Sequence, residues 1–122
     1  MKRFALIITL LACIGVVCAA PIIQAISVTV GSTPAVIDGT SKEYPISVTM
    51  IPQSGVTGTI EYSTSPNAYA APGSANWAVL GAASAVSAVT YSSITSPVTA
   101  IRFSRVSGAS SVIGEVDWKV AP

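Results

Sequence analysis

The chain has 122 residues, 51% of them hydrophobic and 9% charged, with a formal net charge of +1. That length holds one domain, or one domain with a leader, and the apolar content excludes a disordered polar chain. The lack of basic excess argues against nucleic acid as a partner. There is no His, which removes the commonest general base and metal ligand. Cys13 and Cys18 are the only cysteines, so thiol catalysis, thiolate metal sites and a disulfide framework are excluded from the chain beyond them. No cofactor is expected.

Lys2 and Arg3 precede an uncharged run from Phe4 through Ile23, and the next charge is Asp38. Two positive charges before a long apolar stretch are the layout of an export signal or a membrane anchor. As a helix the run from Phe4 to Ala20 would reach roughly 26–30 Å at 1.5 Å per residue, about one hydrocarbon thickness. Three endings compete. Val17-Cys18-Ala19 offers small residues for cleavage before Ala20. Leu10-Leu11-Ala12-Cys13 is similar to a bacterial lipoprotein box, but the residues after it stay apolar. Otherwise the segment is retained, touching membrane or neighbouring subunits through residues 4–23. The expected division is therefore an apolar N-terminal helix within 1–25 and a domain over 26–122.

From Pro21 onward there are 13 Val and 10 Ile but one Leu, Leu80, and 27 Ser and Thr. β-branched side chains lose rotamer freedom in a helix and pack well on a pleated sheet. Strands are predicted near 26–30, 44–51, 56–63, 76–80, 84–91, 97–105 and 111–120. Apolar residues alternate with polar ones in Ile26–Val30, Ile46–Met50, Thr59–Ser63, Ile101–Ser104 and Val112–Val120. Period-two alternation gives one buried and one wet face, the signature of antiparallel sheets. Asp38-Gly39 and Ser54-Gly55 mark tight reversals, while Ser65-Pro66-Asn67 and Pro72-Gly73-Ser74 frame a longer loop. Ser107-Gly108 separates the last two strands, predicted to form a hairpin. Seven or eight short strands imply an all-β antiparallel sandwich, Ig-like or jelly-roll-like.

Few residues carry chemistry. Glu115 and Asp117 stand two apart on one strand face, roughly 7 Å apart, a separation also found in glycosidase pairs. Alternating charges on an outer strand, keeping the sheet soluble, are the stronger reading; a weak Ca²⁺ site is a further one. Ser and Thr have no activating base, so no catalytic residue is assigned. Among the large aromatics, Trp118 sits on the apolar face of its strand and reads as core. Trp77, opening a strand, reads as core or as a partner contact. Tyr69, inside the Ala-rich loop Asn67–Ala71, is the better contact residue. Arg102 and Arg105 read as ordinary strand surface. The small residues Ala82–Ala88 suit close approach of another backbone, within a thin patch of core or between subunits.

The stretch Thr59-Ile-Glu-Tyr-Ser-Thr-Ser-Pro66, then Trp77, Gly81 and Ser96-Pro-Val-Thr-Ala-Ile-Arg102, resembles small all-β proteins encoded among structural genes of tailed bacteriophages. The resemblance covers about residues 59–106 and consists of turn and core residues. It implies a virion component, such as a capsid decoration, fibre or adaptor module, and brings no catalytic residues. The apolar N-terminal segment departs from that pattern. A non-enzymatic virion protein, packing against copies of itself or other capsid or filament proteins, is the first expectation. The alternative is an exported bacterial or archaeal surface protein, either a pilin-like subunit or a glycan-binding sandwich. A secreted glycosidase would rest on Glu115 and Asp117 alone.

Overall fold

The computed structural model describes residues 22–120; the predicted N-terminal helix lies outside that range, except at its end. Eight strands follow in chain order: β1 (Ile22–Val30), β2 (Ala35–Asp38), β3 (Ile46–Pro52), β4 (Thr57–Ser63), β5 (Ala78–Val79), β6 (Thr90–Ile94), β7 (Ala100–Ser107) and β8 (Val112–Val120). A single 3-10 turn at Pro72–Ser74 interrupts the loop before β5. No described helix is long and apolar enough to cross a membrane.

The strands form two four-stranded sheets, sheet A in the order β1-β8-β3-β6 and sheet B in the order β2-β7-β4-β5. Every pairing is antiparallel. The first strand pairs with the last, β2 with β7, β3 with β6 and β4 with β5. That nesting is one long hairpin rolled over on itself, the jelly-roll arrangement of a two-sheet sandwich. It selects the jelly-roll over the Ig-like alternative.

The rolled topology corrects three expectations. First, β7 and β8 do not form a hairpin, because β7 belongs to sheet B and β8 to sheet A; the turn after Ser107 is a corner between sheets. Gly108 fits there with φ +93°, and a β-carbon at that position would run into the Gly55 carbonyl and Val56. Second, β8 is not an outer strand: it lies between β1 and β3. Third, the first strand begins earlier than the predicted residue 26, because Ile22–Ala25 pair in register with Asp117–Val120. Two smaller differences follow from long-range pairing. Strand β2, which has no long alternating pattern, forms because β7 offers it an edge. The strand predicted at 84–91 begins at Thr90, because residues 83–86 turn back onto β4 instead.

The core lies between the sheets. Val30, Ile46, Val48, Met50, Val112 and Val116 from sheet A meet Ile37, Ile60, Ile101 and Phe103 from sheet B, all nearly inaccessible to water. Alternation places these side chains inward, as the sequence pattern requires. Apolar burial of this kind contributes about 25 cal/mol per Å² removed from water. Gly114 makes room for the largest of them: a β-carbon there would sit 2.5–2.7 Å from three ring atoms of Phe103. The Tyr44 hydroxyl ties one end of the sandwich together, donating to the Gly39 carbonyl at 2.9 Å and accepting from the Val98 amide at 3.1 Å.

Candidate functional site

Glu115 and Asp117 project from the outer face of sheet A, half-buried among short polar side chains. Register sets Ser27, Glu115, Thr49 and Tyr91 side by side in one row, and Ala25, Asp117, Ser47 and Ser93 in the next. Asp117 borders a shallow hollow with Ile23, Ser47, Ser93 and Lys119, and Glu115 does not line it. The two carboxylates thus share a face without sharing an enclosed pocket. Among the described residues, no three Asp, Glu, Cys or His side chains gather as a metal site would need.

Trp77 and Tyr69 are placed differently from each other. Trp77 is half-buried on the outer face of sheet B rather than in the core cluster. Its indole N–H donates to the Pro72 carbonyl at 3.0 Å. The Arg102 guanidinium lies 4.2 Å over its ring, while donating to Glu61 at 2.7 and 2.8 Å. A ring capped by a cation on one side is a stabilising contact, and that side is closed to a stacking sugar. Tyr69 is 53% exposed and borders a small recess with Asp38, Thr40, Asn67 and Thr99. The buried Ala68 beside it anchors the loop. No described hollow contains both aromatics.

The remaining charges also act locally. Lys42 lies 3.9 Å over the Trp118 ring; its burial pulls its pKa below the ordinary lysine value, and Asp38 opposes this. Trp118 packs against the core cluster from the inner face, as expected. Arg105 donates to the carbonyls of Ala109 and Ser110 at 3.2 and 2.7 Å, fixing the β7–β8 corner. Asp38 accepts from the hydroxyl and amide of Thr40, which lowers its pKa, with Lys42 adding to the shift. The Ala82–Ala88 segment packs back on β4 through Ala83 and Val86, while Ala82, Ser84, Ala85, Ser87 and Ala88 stay exposed. Ala83 is fully buried and accepts from the Ile60 amide, while Val86 exchanges both backbone bonds with Gly58.

Charge is placed in an unusual way at the sheet edges. Folded proteins commonly guard exposed edge strands with charge, proline or a bulge, because unpaired backbone groups there invite another strand. Here the strand charges stand on central strands: Glu61 on β4, Arg102 and Arg105 on β7, and Glu115, Asp117 and Lys119 on β8. The edge strands β1, β5 and β6 carry none, and β2 carries only its last residue, Asp38. Strand β1 is nine residues long, has no Pro, and pairs with β8 without a bulge. Its Ile22 and Ile23 are 59% and 68% exposed, and Tyr91 on β6 is 78% exposed. The sequence signal was present as a run from Tyr62 to Ile101 without one charge, but only topology identifies the strands within it as edges.

No protein-family model matches the sequence, and no curated protein does. Among solved structures, the chain is similar to a subunit of Bacillus endospore appendages, described as a family of disulfide-linked pili. The identity is 12%, covering 84% of this chain and 88% of that one, with a TM-score of 0.46. A score below 0.5 at that identity establishes neither a common fold nor a common role.

Proposed function

We propose that this protein is a non-enzymatic structural subunit, exported to a cell surface, that works by associating with copies of itself. The charge-free edge strands carry this reading: both edges of sheet A, nine and five residues long, are left open where a solitary protein would guard them. Low charge and many Ser and Thr agree with it, since such faces are tolerable where neighbours cover them. The basic pair and apolar run at the N-terminus favour export over assembly in the cytoplasm.

A second reading, a virion component using the same contacts, draws on the likeness over residues 59–106. The two readings differ in setting and share one physical mechanism. Sedimentation of the full chain over a wide concentration range tests that mechanism. Progressive growth in mass is expected, and a strictly monomeric protein at high concentration overturns both readings. The mass of the native protein then separates the settings. A chain beginning at Ala20 on cells or in medium supports the exported subunit; a full-length chain in purified particles supports the virion component.

A further inference from the structure

We infer that the copies join along sheet A alone, strand β1 of one subunit adding antiparallel to strand β6 of the next. The inference rests on the self-association reading and names the surface it uses.

The argument begins with strand direction. Sheet A holds four strands, each antiparallel to its neighbour, so its two edge strands, β1 and β6, run in opposite directions. A second copy moved along the sheet in the same orientation therefore presents β1 to β6 in the antiparallel sense. No subunit has to turn over, and the hydrogen-bonding alternation continues from one copy into the next. The joint uses two different surfaces, so it leaves a free β1 at one end and a free β6 at the other. Heterologous contacts of this kind propagate into open filaments unless the rotation closes a ring.

The side chains allow it. Neither edge strand carries a charge or a proline, and both expose unpaired backbone groups, because no other described strand pairs with their outer sides. The outer-face rows that end in Ser27 and Ala25 on β1 end in Tyr91 and Ser93 on β6. Joining copies thus sets hydroxyl and small side chains beside each other, with no buried charge to compensate.

Sheet B is less suited. Its β2 edge is four residues long and ends in Asp38. Its β5 edge is two residues long, and the chain after it turns inward, with Leu80, Ala83 and Val86 bonded to β4. What remains on that side is irregular.

The geometry gives a dimension. Four strands at about 4.8 Å each advance about 19 Å per subunit along the sheet. Strand twist of roughly 20–25° each accumulates to about 80–100° per subunit.

The test uses two full-length variants, Ser27→Lys/Thr29→Lys on β1 and Tyr91→Lys/Ser93→Lys on β6, read by native mass spectrometry and electron microscopy. Wild type is expected to form chains with a repeat near the value above. Each variant alone is expected to associate at least tenfold more weakly. Mixed, they are expected to give 1:1 dimers that do not grow, because each supplies the edge that the other lacks. A β6 variant that still dimerises alone points to β1 pairing with itself and overturns the inference. So do two variants that both still form chains. Neither result touches the broader reading, which fails only if wild type stays monomeric. Amide hydrogen exchange on wild type needs no substitution: protection is expected to rise in residues 22–30 and 90–94 on assembly, and an unchanged rate in 90–94 overturns the inference.

Discussion

Replacing Gly114 with alanine separates two effects of opposite sign. Gly114 lies on the inner face of β8, opposite Val28 and Met50. Its backbone is in a conformation open to alanine, and a Gly→Ala change at such a place ordinarily stabilises by about 0.4–1 kcal/mol through the unfolded chain. Against this, the new β-carbon would meet Phe103 Cγ, Cδ2 and Cδ1 at 2.5, 2.6 and 2.7 Å, about 1 Å inside favourable carbon contact. Phe103 has no exposed surface and faces Ile60 across the strand pair, so its ring has nowhere to retreat. Overpacking of this kind costs about 1–3 kcal/mol or more. The steric effect wins, and Gly114→Ala is expected to destabilise by about 2 kcal/mol, lowering Tm by about 8–16 °C in a domain of this size. Urea unfolding and thermal melts measure it. Gly31→Ala and Gly73→Ala serve as controls. A β-carbon at either place meets nothing within 4 Å, so each is expected to be neutral or slightly stabilising. Phe103→Leu should relieve the clash, so the double variant Phe103→Leu/Gly114→Ala should be at least about 1 kcal/mol more stable than the two single losses added together. A Gly114→Ala protein as stable as wild type, or strict additivity in the double variant, would refute the packing argument.

Tyr44→Phe removes the partner of the buried Val98 amide and the donor to Gly39; a loss of about 1–3 kcal/mol is expected in urea unfolding, and a change below the error of the fit would count against the Tyr44 tie. Asp38 has its folded pKa lowered below 3.8, chiefly by the Thr40 hydroxyl. Its contribution is therefore present above the ordinary carboxylate range and is lost as pH falls through the lowered value. Thermal melts of Asp38→Asn against wild type should differ more at neutral pH than near pH 2, and a constant difference would contradict this. Arg102 pairs with Glu61 where both side chains are partly exposed, so Glu61→Gln is expected to cost no more than about 1 kcal/mol and to become less damaging in high salt. Tyr69→Ala leaves the packed Ala68 in place and should keep fold and assembly unchanged; a glycan-array signal lost with this variant would instead favour the ligand-binding alternative.

Strand class and facing were legible in the sequence because alternation belongs to a single strand. Ile46, Val48 and Met50, or Val112 and Val116, declare their buried side without reference to any partner, and the structure buries them. Turn residues were legible for the same reason: the tight turn from Gln53 to Val56 needs Gly55 at φ +75° whatever surrounds it. Which strands lie side by side was not legible. Ser107-Gly108 reads as a hairpin turn, yet it joins two sheets, because the chain is rolled and nearest neighbours in sequence seldom pair. The site followed the same division. The long uncharged run stands in the sequence, but an edge is defined by the absence of a second neighbour, and only the arrangement of the eight strands in two sheets decides which backbone groups are left without one. The same holds for Arg102 over Trp77 and for Gly114 beneath Phe103. Each joins residues far apart in the chain, whose contact depends on how the sheets pack rather than on any local pattern.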